Sequence, residues 1–458
     1  MTPVDSATHD PSGSLSPPPT RAAVGEPDRR ISTLSVTSWV LYDLANTIFS
    51  MGVVSLYFSL WVRDTVGPAR ADTVYPVITA ISMAVIFVIS PLLGSMTDRA
   101  RRRIPFLIAS TLICVVCTAL LARAGFLVTA ILFVIANIAY QAGLQFYDAM
   151  LPEVSNENNR GKISGIGVGV GYLGSYLAVG LGLDALFGSE DKPRLFSMIA
   201  VFFLLFALPA FLFIKERGNP NPRPVFDPKA IAESTRETIA TLRSGKEYPG
   251  LVRFLIGRVF YTDAINTVIA IMGLYTVNIA VATGLTESAG QEQSKYVLLT
   301  AITFAVIGGF AWGWLVDRIG PKRTLDWVLY SWIAIFLGAA AVGILRLPLV
   351  ALYVVACAAG FALGGIWAAD RPLMLRLTPP WRIGEFYGLY GMVGRFSAIT
   401  GPLVWAGVAW ITIQQMNLRT ELGQGIGVLI LLGLILLSYA ILRPVSDAPR
   451  EWQDTPNR

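Results

Sequence analysis

The stretch Trp39-Val-Leu-Tyr-Asp-Leu-Ala-Asn-Thr-Ile-Phe-Ser-Met-Gly-Val-Val-Ser-Leu-Tyr-Phe-Ser-Leu-Trp61 decides the fold of this chain. As an α-helix it is about 33 Å long, close to the hydrocarbon thickness of a bilayer, and it predicts the two indoles at opposite interfaces. Asp43 and Asn46 are three residues apart and therefore share one face. Facing lipid, the aspartate would cost about 2.5 kcal/mol or more. We therefore expect this face to contact protein or a water-filled cavity.

The composition is that of a polytopic helical membrane protein. Of 458 residues, 54% are hydrophobic and only 14% are charged, and the mean hydropathy is +0.58. The apolar runs are about 20 residues long, enough to span a bilayer as helices. They lack the two-residue alternation of a β-barrel, which is the other structure that satisfies the backbone in lipid.

Several function classes are disfavoured by what the chain contains. Its single histidine, His9, lies in a polar N-terminal tail, which argues against histidine proton relays, zinc chemistry and a Ser-His triad. Cys114 and Cys117 form a CxxC within an apolar run, and we interpret them as helix-packing residues. No P-loop sequence for ATP hydrolysis occurs. We expect no cofactor, and no enzyme activity because no His- or Cys-centred constellation occurs. We also expect no nucleic-acid partner, because the residues behind the +6 net charge are distributed by membrane side.

Twelve apolar segments divide the chain into two sets of six. The interruption at 215–253 separates a predicted N-terminal bundle, 35–214, from a predicted C-terminal bundle, 254–442, and we expect a short surface helix within it, from Asp227 to Gly245. Residues 1–34 read as a disordered tail and 443–458 as a second tail. The segments are 37–62, 73–95, 104–122, 125–149, 162–187, 194–214, 254–282, 296–316, 323–345, 348–376, 385–412 and 422–442.

The distribution of basic residues predicts the orientation. Of the 36 lysines and arginines, 26 fall on the side shared by both termini and 8 on the other, and the remaining two, Arg258 and Arg395, lie within helices. The positive-inside rule then places both termini in the cytosol. The first apolar segment is full length and carries an aspartate, so it is not a cleavable signal. We expect an integral protein of the cell (inner) membrane.

The two sets of segments repeat one another at an offset of about 220 residues. Repeated features include an Asp-x-x-Asn-Thr motif, a Gly-x-x-x-Asp-Arg motif before a basic loop, an aspartate at a helix end and two helix-starting glycines. The matching residues are Asp43, Asn46 and Thr47 with Asp263, Asn266 and Thr267; Gly94, Asp98 and Arg99 with Gly313, Asp317 and Arg318; Asp148 with Asp370; and Gly161 and Gly165 with Gly384 and Gly388.

These motifs resemble the major facilitator superfamily, whose signature between helices two and three is Gly-x-x-x-Asp-Arg-x-Gly followed by basic residues. Gly313-Trp-Leu-Val-Asp-Arg-Ile-Gly-Pro-Lys-Arg323 fits it well, whereas Gly94-Ser-Met-Thr-Asp-Arg-Ala-Arg-Arg-Arg103 has Arg101 in place of the last glycine. The resemblance implies an all-α polytopic membrane protein with twelve transmembrane helices in two six-helix bundles. A central site would open alternately to either side.

A narrower resemblance is to the vacuole-effluxer-like branch, which holds fungal vacuolar amino-acid effluxers and bacterial relatives. It covers residues 36–442 and rests on four stretches: Trp39-Val-Leu-Tyr-Asp-Leu-Ala-Asn46, Phe146-Tyr-Asp-Ala-Met-Leu-Pro152, Arg160-Gly-Lys-Ile-Ser-Gly165 and Glu385-Phe-Tyr-Gly-Leu-Tyr-Gly-Met-Val-Gly-Arg-Phe-Ser-Ala-Ile-Thr-Gly-Pro402.

The superfamily resemblance places helices one and seven against the central cavity. Asp43, Asn46, Asp263 and Asn266 are then candidates to bind a polar substrate or carry a proton; alternatively, the aspartates pair internally and hold the bundles together. Arg395 lies about 15 Å into its helix. It would hold a substrate carboxylate or phosphate, or form a salt bridge to one of the two aspartates. Arg258 is nearer the cytosol, and we interpret it as structural or interfacial.

A second group of charges predicts a gate. Asp98, Arg99, Asp317 and Arg318 are assigned to short cytosolic loops, where charge pairs would join the bundles when that side is shut. Asp148 and Asp370 are natural partners for neighbouring arginines. Positive-inside anchoring is the alternative, and it explains the arginines but not the aspartates.

The sequence Gly169-Val-Gly-Tyr-Leu-Gly174 matches a dinucleotide-binding fingerprint, but it lies inside an apolar segment without a preceding strand. We expect its glycines to let helix five approach a neighbour closely.

The function that these features favour is secondary active transport of a small polar or zwitterionic solute by alternating access, with amino acids the first candidate. Coupling would be to protons through Asp43 or Asp263, or to sodium, and we expect a monomer in the bilayer. The alternative is a transporter-fold membrane sensor or scaffold without flux.

Overall fold

The computed structural model describes residues 31–181, 191–219, 221–225 and 248–448, and all regular structure in those ranges is helical. The tail before residue 31, the surface helix expected between Asp227 and Gly245, and the chain after residue 448 lie outside the described residues.

The long helices are α1 Thr33–Val66, α2 Pro68–Arg99, α3 Ile104–Ala119, α4 Phe126–Asp148, α5 Arg160–Leu181, α6 Lys192–Phe213, α7 Leu251–Ala282, α8 Glu287–Ile319, α9 Pro321–Leu345, α10 Leu349–Arg376, α11 Ile383–Ala409 and α12 Thr420–Leu442. Short helical segments lie at Leu151–Val154, Pro380–Arg382 and Trp410–Gln415.

Within the described ranges, ten helices are long and apolar enough to cross a membrane: α1, α2, α4 to α10 and α12. The helix α3 is apolar but has 16 residues. The helix α11 has 27 residues and includes the charged Glu385 and Arg395. The prediction of a polytopic all-helical protein is therefore confirmed.

Several helices extend beyond their apolar segments, and this corrects one prediction. Asp98, Arg99, Asp317 and Arg318 were assigned to loops, but they lie in the last turns of α2 and α8. Hydropathy marks only the apolar part of a helix, whereas the backbone hydrogen bonds continue through a polar end. A basic residue in the last turn also complements the helix dipole there.

The helix α1 is continuous from Thr33 to Val66 but is π-helical over Ser50–Tyr57. Trp39 and Trp61, expected at the two membrane interfaces, are only 0% and 9% exposed. Trp39 stacks on Tyr147 of α4, and Trp61 stacks on Phe126. Both indoles therefore pack inside the protein rather than against lipid headgroups.

We call residues 33–213 the N-half and residues 251–442 the C-half. In the N-half, α1 packs on α5 and α6, α3 packs on α4 and α6, and α2 packs on α4. In the C-half, α7 packs on α11 and α12, α9 packs on α10 and α12, and α8 packs on α10. Each of these helix pairs recurs six helices later, so the sequence repeat corresponds to a repeat in packing.

The halves meet mainly through α2 against α11 and through α5 against α8, with further contacts of α5 with α10 and α4 with α11. Repeated glycines make the first two contacts possible. A Cβ atom on Gly165 would lie 2.3 Å from the Gly309 carbonyl oxygen, and one on Gly94 would lie 2.2 Å from the Gly384 carbonyl oxygen. Both distances are too short for a side chain, so backbones pack directly on backbones.

The glycines of the Gly169–Gly174 segment have the same effect. A Cβ on Gly169 would lie 2.9 Å from the Phe310 ring of α8, and one on Gly174 would lie 2.6 Å from the Leu44 carbonyl oxygen of α1. The prediction that these glycines allow close helix approach is confirmed. Cys114 and Cys117 are buried free thiols in α3, in agreement with a packing role.

One end of the helix bundle carries the start of α1 and the end of α12, and we call it the termini side. Ser35 near the start of α1 donates to the Phe213 carbonyl oxygen at the end of α6. Asp447, after α12, accepts from the Lys322 backbone N–H at the start of α9. The α2–α3, α4–α5, α8–α9 and α10–α11 connections lie at this side.

We predict that Gly165→Ala lowers the thermal unfolding temperature of the purified protein, because overpacking a tight contact costs about 1–3 kcal/mol. The matched control is Gly433→Ala in α12, where a Cβ would meet nothing within 4 Å. Alanine favours an exposed helix over glycine, so this control should unfold at the wild-type temperature or above it. Equal unfolding temperatures for Gly165→Ala and wild type would contradict the tight α5–α8 contact.

Candidate functional site

A buried ion cluster joins the two halves close to the termini-side ends of α4 and α10. Arg371 of α10 donates from Nη1 to Asp43 Oδ2 of α1 at 3.2 Å, and its Nε lies 2.9 Å from Asp148 Oδ1 at the end of α4. The three side chains are each less than a tenth exposed. The arginine belongs to the C-half and both carboxylates belong to the N-half.

Aromatic rings line this cluster on the N-half side. Trp39 and Tyr147 are stacked with ring centroids 4.5 Å apart, and the Trp39 indole N–H donates to the Tyr147 carbonyl oxygen. The Arg371 guanidinium lies 5.9 Å from the Trp39 ring and 5.5 Å from the Tyr147 ring. Rings at this distance attract a cation and keep water away from it.

A second buried pair lies entirely within the C-half. Arg258 of α7 donates from Nε to Asp370 Oδ2 at 3.0 Å, and the Tyr390 hydroxyl donates to the same oxygen at 3.0 Å. The Arg258 guanidinium also lies 3.6 Å above the Tyr390 ring. Asp370, predicted in the gate group as a partner for neighbouring arginines, therefore pairs with Arg258 of its own half. This arrangement agrees with a structural role for Arg258.

Arg395 is a buried guanidinium that reaches from the C-half into the N-half. Its Nη1 donates to Ser90 Oγ of α2 and its Nη2 donates to the Gln141 carbonyl oxygen of α4, both at 2.7 Å. The residue is 4% exposed and its Nε has no partner. Among the described residues it forms no salt bridge, so the pairing with Asp43 or Asp263 that the sequence allowed is absent here.

Asp263 is a carboxylate without a cation among the described residues. Its Oδ1 accepts from Thr400 Oγ1 of α11 at 2.9 Å, and the residue is 6% exposed. Asn266 lies three residues further along the same helix and is half-buried. Asn46, its counterpart on α1, is 3% exposed, and neither its amide nitrogen nor its amide oxygen has a hydrogen-bond partner in the described part of the chain.

At the termini side, two carboxylates cap helices of the opposite half. Asp98 accepts the backbone N–H groups of Gly384 and Glu385, at 2.7 and 2.8 Å, in the first turn of α11. Asp317 accepts those of Gly161 and Lys162, at 2.7 and 2.9 Å, at the start of α5. The start of a helix carries unpaired N–H groups and a partial positive charge, so it binds an anionic side chain well.

This geometry corrects the expected gate chemistry. The sequence predicted charge pairs between the bundles, but the inter-half partners of Asp98 and Asp317 are backbone amides. The Arg318 guanidinium lies 3.9 Å from the Trp314 ring of its own helix, and the Arg99 carbonyl oxygen accepts the Arg223 N–H. Asp98 also forms a salt bridge to Arg103 within the N-half.

The described part of the linker docks on the N-half beside Asp98. Asn219 donates its side-chain amide to the Asp98 carbonyl oxygen. Glu216 accepts the Arg103 and Ile104 N–H groups at the start of α3, at 2.5 and 3.0 Å. Burial raises the pKa of Glu216 above its ordinary value. The beginning of the linker is thus fixed to the α2–α3 connection.

Sequence reasoning missed Arg371, Ser90 and Tyr147. Arg371 follows Asp370 directly, inside the segment 348–376, and an adjacent acid and base within an apolar run was a usable signal. Arg371 lies five residues from the end of that segment, and this position favoured its assignment to the basic membrane side.

The fold is shared with solved transporters. The human organic anion transporter MFSD10 (TETRAN) superimposes with a TM-score of 0.67 at 18% identity, covering 91% of this chain and 99% of that one. A bacterial homologue of the iron transporter ferroportin, in an outward-facing state, gives 0.65 at 16% identity, with the same coverage. At these identities the likeness shows the fold of this chain, which is the fold of membrane transporters.

The particular family follows from sequence. The family model described as vacuole effluxer Atg22 like matches residues 66–446, and the chain belongs to this family. The uncharacterized MFS-type transporter YxiO of Bacillus subtilis (strain 168) is 23% identical over 444 residues, covering 93% of this chain and 99% of YxiO. Autophagy-related protein 22 of Yarrowia lipolytica is 24% identical over 319 residues, and the match spans 62% of this chain and 51% of that protein.

We predict that Arg371→Gln destabilises the protein by about 3–5 kcal/mol, because it leaves two buried carboxylates without their cation. Thermal unfolding in detergent would measure the loss. Arg346→Gln is the matched control: it removes a salt bridge to Glu421 whose arginine is half-exposed, and such pairs contribute about 1 kcal/mol or less. Equal losses in the two variants would show that the cluster does not hold the halves together.

Proposed function

We propose that this protein is a secondary active transporter that moves a small polar or zwitterionic solute across the cell membrane by alternating access. Twelve helices, in bundles at 35–214 and 254–442, would rock around a central site, with both termini in the cytosol. Membership of the family and the major facilitator fold support transport as the general function. The termini-side contacts of Asp98 and Asp317 support a state closed on that side.

The observation that carries the substrate proposal is Arg395. A guanidinium that is buried without a carboxylate is costly in a membrane interior, and its planar donors match an anionic group such as a carboxylate. Its present partners, Ser90 and the Gln141 carbonyl oxygen, are neutral. An ion pair between Arg395 and a substrate carboxylate would therefore stabilise the guanidinium more than these neutral hydrogen bonds do.

Asp263 supplies the complementary charge. It has no cation among the described residues, and α7 and α11, which carry Asp263 and Arg395, pack against each other. A solute with both a carboxylate and an ammonium group could pair with both residues. This favours a zwitterion, with amino acids the first candidate. Asn46 and Asn266 would add neutral hydrogen bonds, and Asp43 stays a candidate for coupling.

The names of similar proteins agree with this range of substrates without fixing it. MFSD10 is described as an organic anion transporter, and XylE, of similar fold (TM-score 0.63, 14% identity), is described as a proton:xylose symporter. For this chain, an anionic group on the solute and coupling to protons or sodium are both part of the proposal.

We predict that Arg395→Gln and Asp263→Asn each lower counterflow of a labelled amino acid in proteoliposomes at least about tenfold, because a charge-assisted hydrogen bond contributes about 1.5–3 kcal/mol. Asp43→Asn should also lower flux. Arg395→Lys should recover little, since lysine keeps the charge but loses the planar pair of donors. The substrate would first be identified by thermal shift with amino acids, peptides, nucleosides and sugars.

Arg346→Gln, on the side opposite the termini side, should keep wild-type counterflow. Wild-type flux in the Arg395, Asp263 and Asp43 variants would contradict the assignment of these residues to substrate binding or coupling. Solute binding without counterflow in the wild type would instead favour a membrane sensor or scaffold with a transporter fold.

A further inference from the structure

The buried charges are divided unequally between the two halves. The N-half contributes the carboxylates of Asp43 and Asp148 to the buried cluster, whereas Arg371 comes from the C-half. The other buried charges around it, Arg258, Asp370 and Arg395, also belong to the C-half. Within the described ranges, the ion pairs of Asp43 and Asp148 are both made by Arg371.

Arg160 of α5 lies near the cluster, since its charge acts on the Tyr387 phenol. The other titratable groups that face the cluster are phenols, which are uncharged at neutral pH. They come from three of the helices packed around it: Tyr140 and Tyr147 of α4, Tyr172 of α5, and Tyr387 and Tyr390 of α11. Arg258 is already paired with Asp370, and Arg395 is hydrogen bonded to Ser90 and Gln141. In the part of the chain that the structure describes, direct ion pairing of Asp43 and Asp148 thus depends on Arg371.

Opening the termini side would remove this neutralisation. The halves move apart as bodies in the proposed transport cycle, so Arg371 would withdraw with α10 while Asp43 and Asp148 stay with α1 and α4. Removing one partner of a buried ion pair leaves an uncompensated charge in a poorly polar environment, which is strongly unfavourable. A buried carboxylate can avoid that cost by binding a proton.

Asp148 is the better placed of the two carboxylates to take the proton. Asp43 accepts a hydrogen bond from Arg371 Nη1, whereas Asp148 Oδ1 is 2.9 Å from Arg371 Nε without the geometry of a hydrogen bond. Among the described residues, Oδ1 of Asp148 has no hydrogen-bond donor, so it is left without a partner once Arg371 withdraws.

We propose that Asp148, together with Asp43, is a proton-binding site that opposes Arg371: a proton binds as the arginine withdraws and leaves as it returns. This inference rests on the proposed alternation between two states. It assigns the proton as the coupling ion of transport and Asp148, with Asp43, as the residues that carry the proton. A proton binds the open state more tightly than the closed state, so acid favours opening at the termini side and alkali favours closure.

The test measures opening directly and without a substrate. Spin labels at Asn158→Cys in the N-half and Arg323→Cys in the C-half, both exposed at the termini side, would report their distance in a background lacking Cys114, Cys117 and Cys357. Across a pH series, the ratio of long to short distances should rise as the pH falls, by up to about tenfold per pH unit for one proton.

Asp148→Asn imitates the protonated residue, so it should raise the long-distance population at neutral pH and flatten the pH dependence. Asp43→Asn is the second variant, with the same direction expected, in case the first does not fold; folding is checked by monodisperse elution. Glu421→Gln, which removes a carboxylate at the opposite side, should keep the wild-type pH curve.

Replacing choline with sodium at constant pH and ionic strength should leave the distances unchanged. A wild-type pH curve in both aspartate variants, or a response to sodium in place of acid, would overturn the inference. Counterflow in the same preparations separates the two proposals: flux with a flat pH curve contradicts only the proton site, whereas a pH response without flux contradicts only transport.

Discussion

The structure depends on one buried arginine that is held by carboxylates of the opposite half. Arg371 extends from α10 toward Asp43 and Asp148, and the three groups are shielded from water. In a low-polarity interior, such a contact is strong while all partners are present and very unfavourable once one is removed. A contact of this kind suits an interface between the N-half and the C-half that is either fully formed or fully open.

The other inter-half contacts are of a kind that can form and break repeatedly. Glycine rows let α2 lie against α11 and α5 against α8 without interdigitated side chains, so the helices can part without repacking a core. Asp98 and Asp317 add capping hydrogen bonds at the ends of these same helix pairs. Each capping contact is modest and lies near the polar rim, where water can replace it when the helices separate.

Much of the fold could be predicted because membrane helices leave strong local signals. Length, hydropathy and the 220-residue repeat gave the helical segments and the paired Asp98 and Asp317 motifs. Helix ends were less accurate, since hydropathy falls before the backbone hydrogen bonds stop, as at Arg99. The partners of the charges were least predictable: whether Asp148 meets Arg371 or Arg395 is decided by helix packing between residues more than 200 positions apart.

The most direct test of the central interaction is a double-mutant cycle between Arg371 and Asp148, measured by equilibrium unfolding in mixed micelles. Arg371→Gln, Asp148→Asn and the double variant would be compared with wild type. If the two side chains hold the halves together as described, the double variant should lose less stability than the sum of the single losses, by at least about 1 kcal/mol. Strictly additive losses would contradict the account.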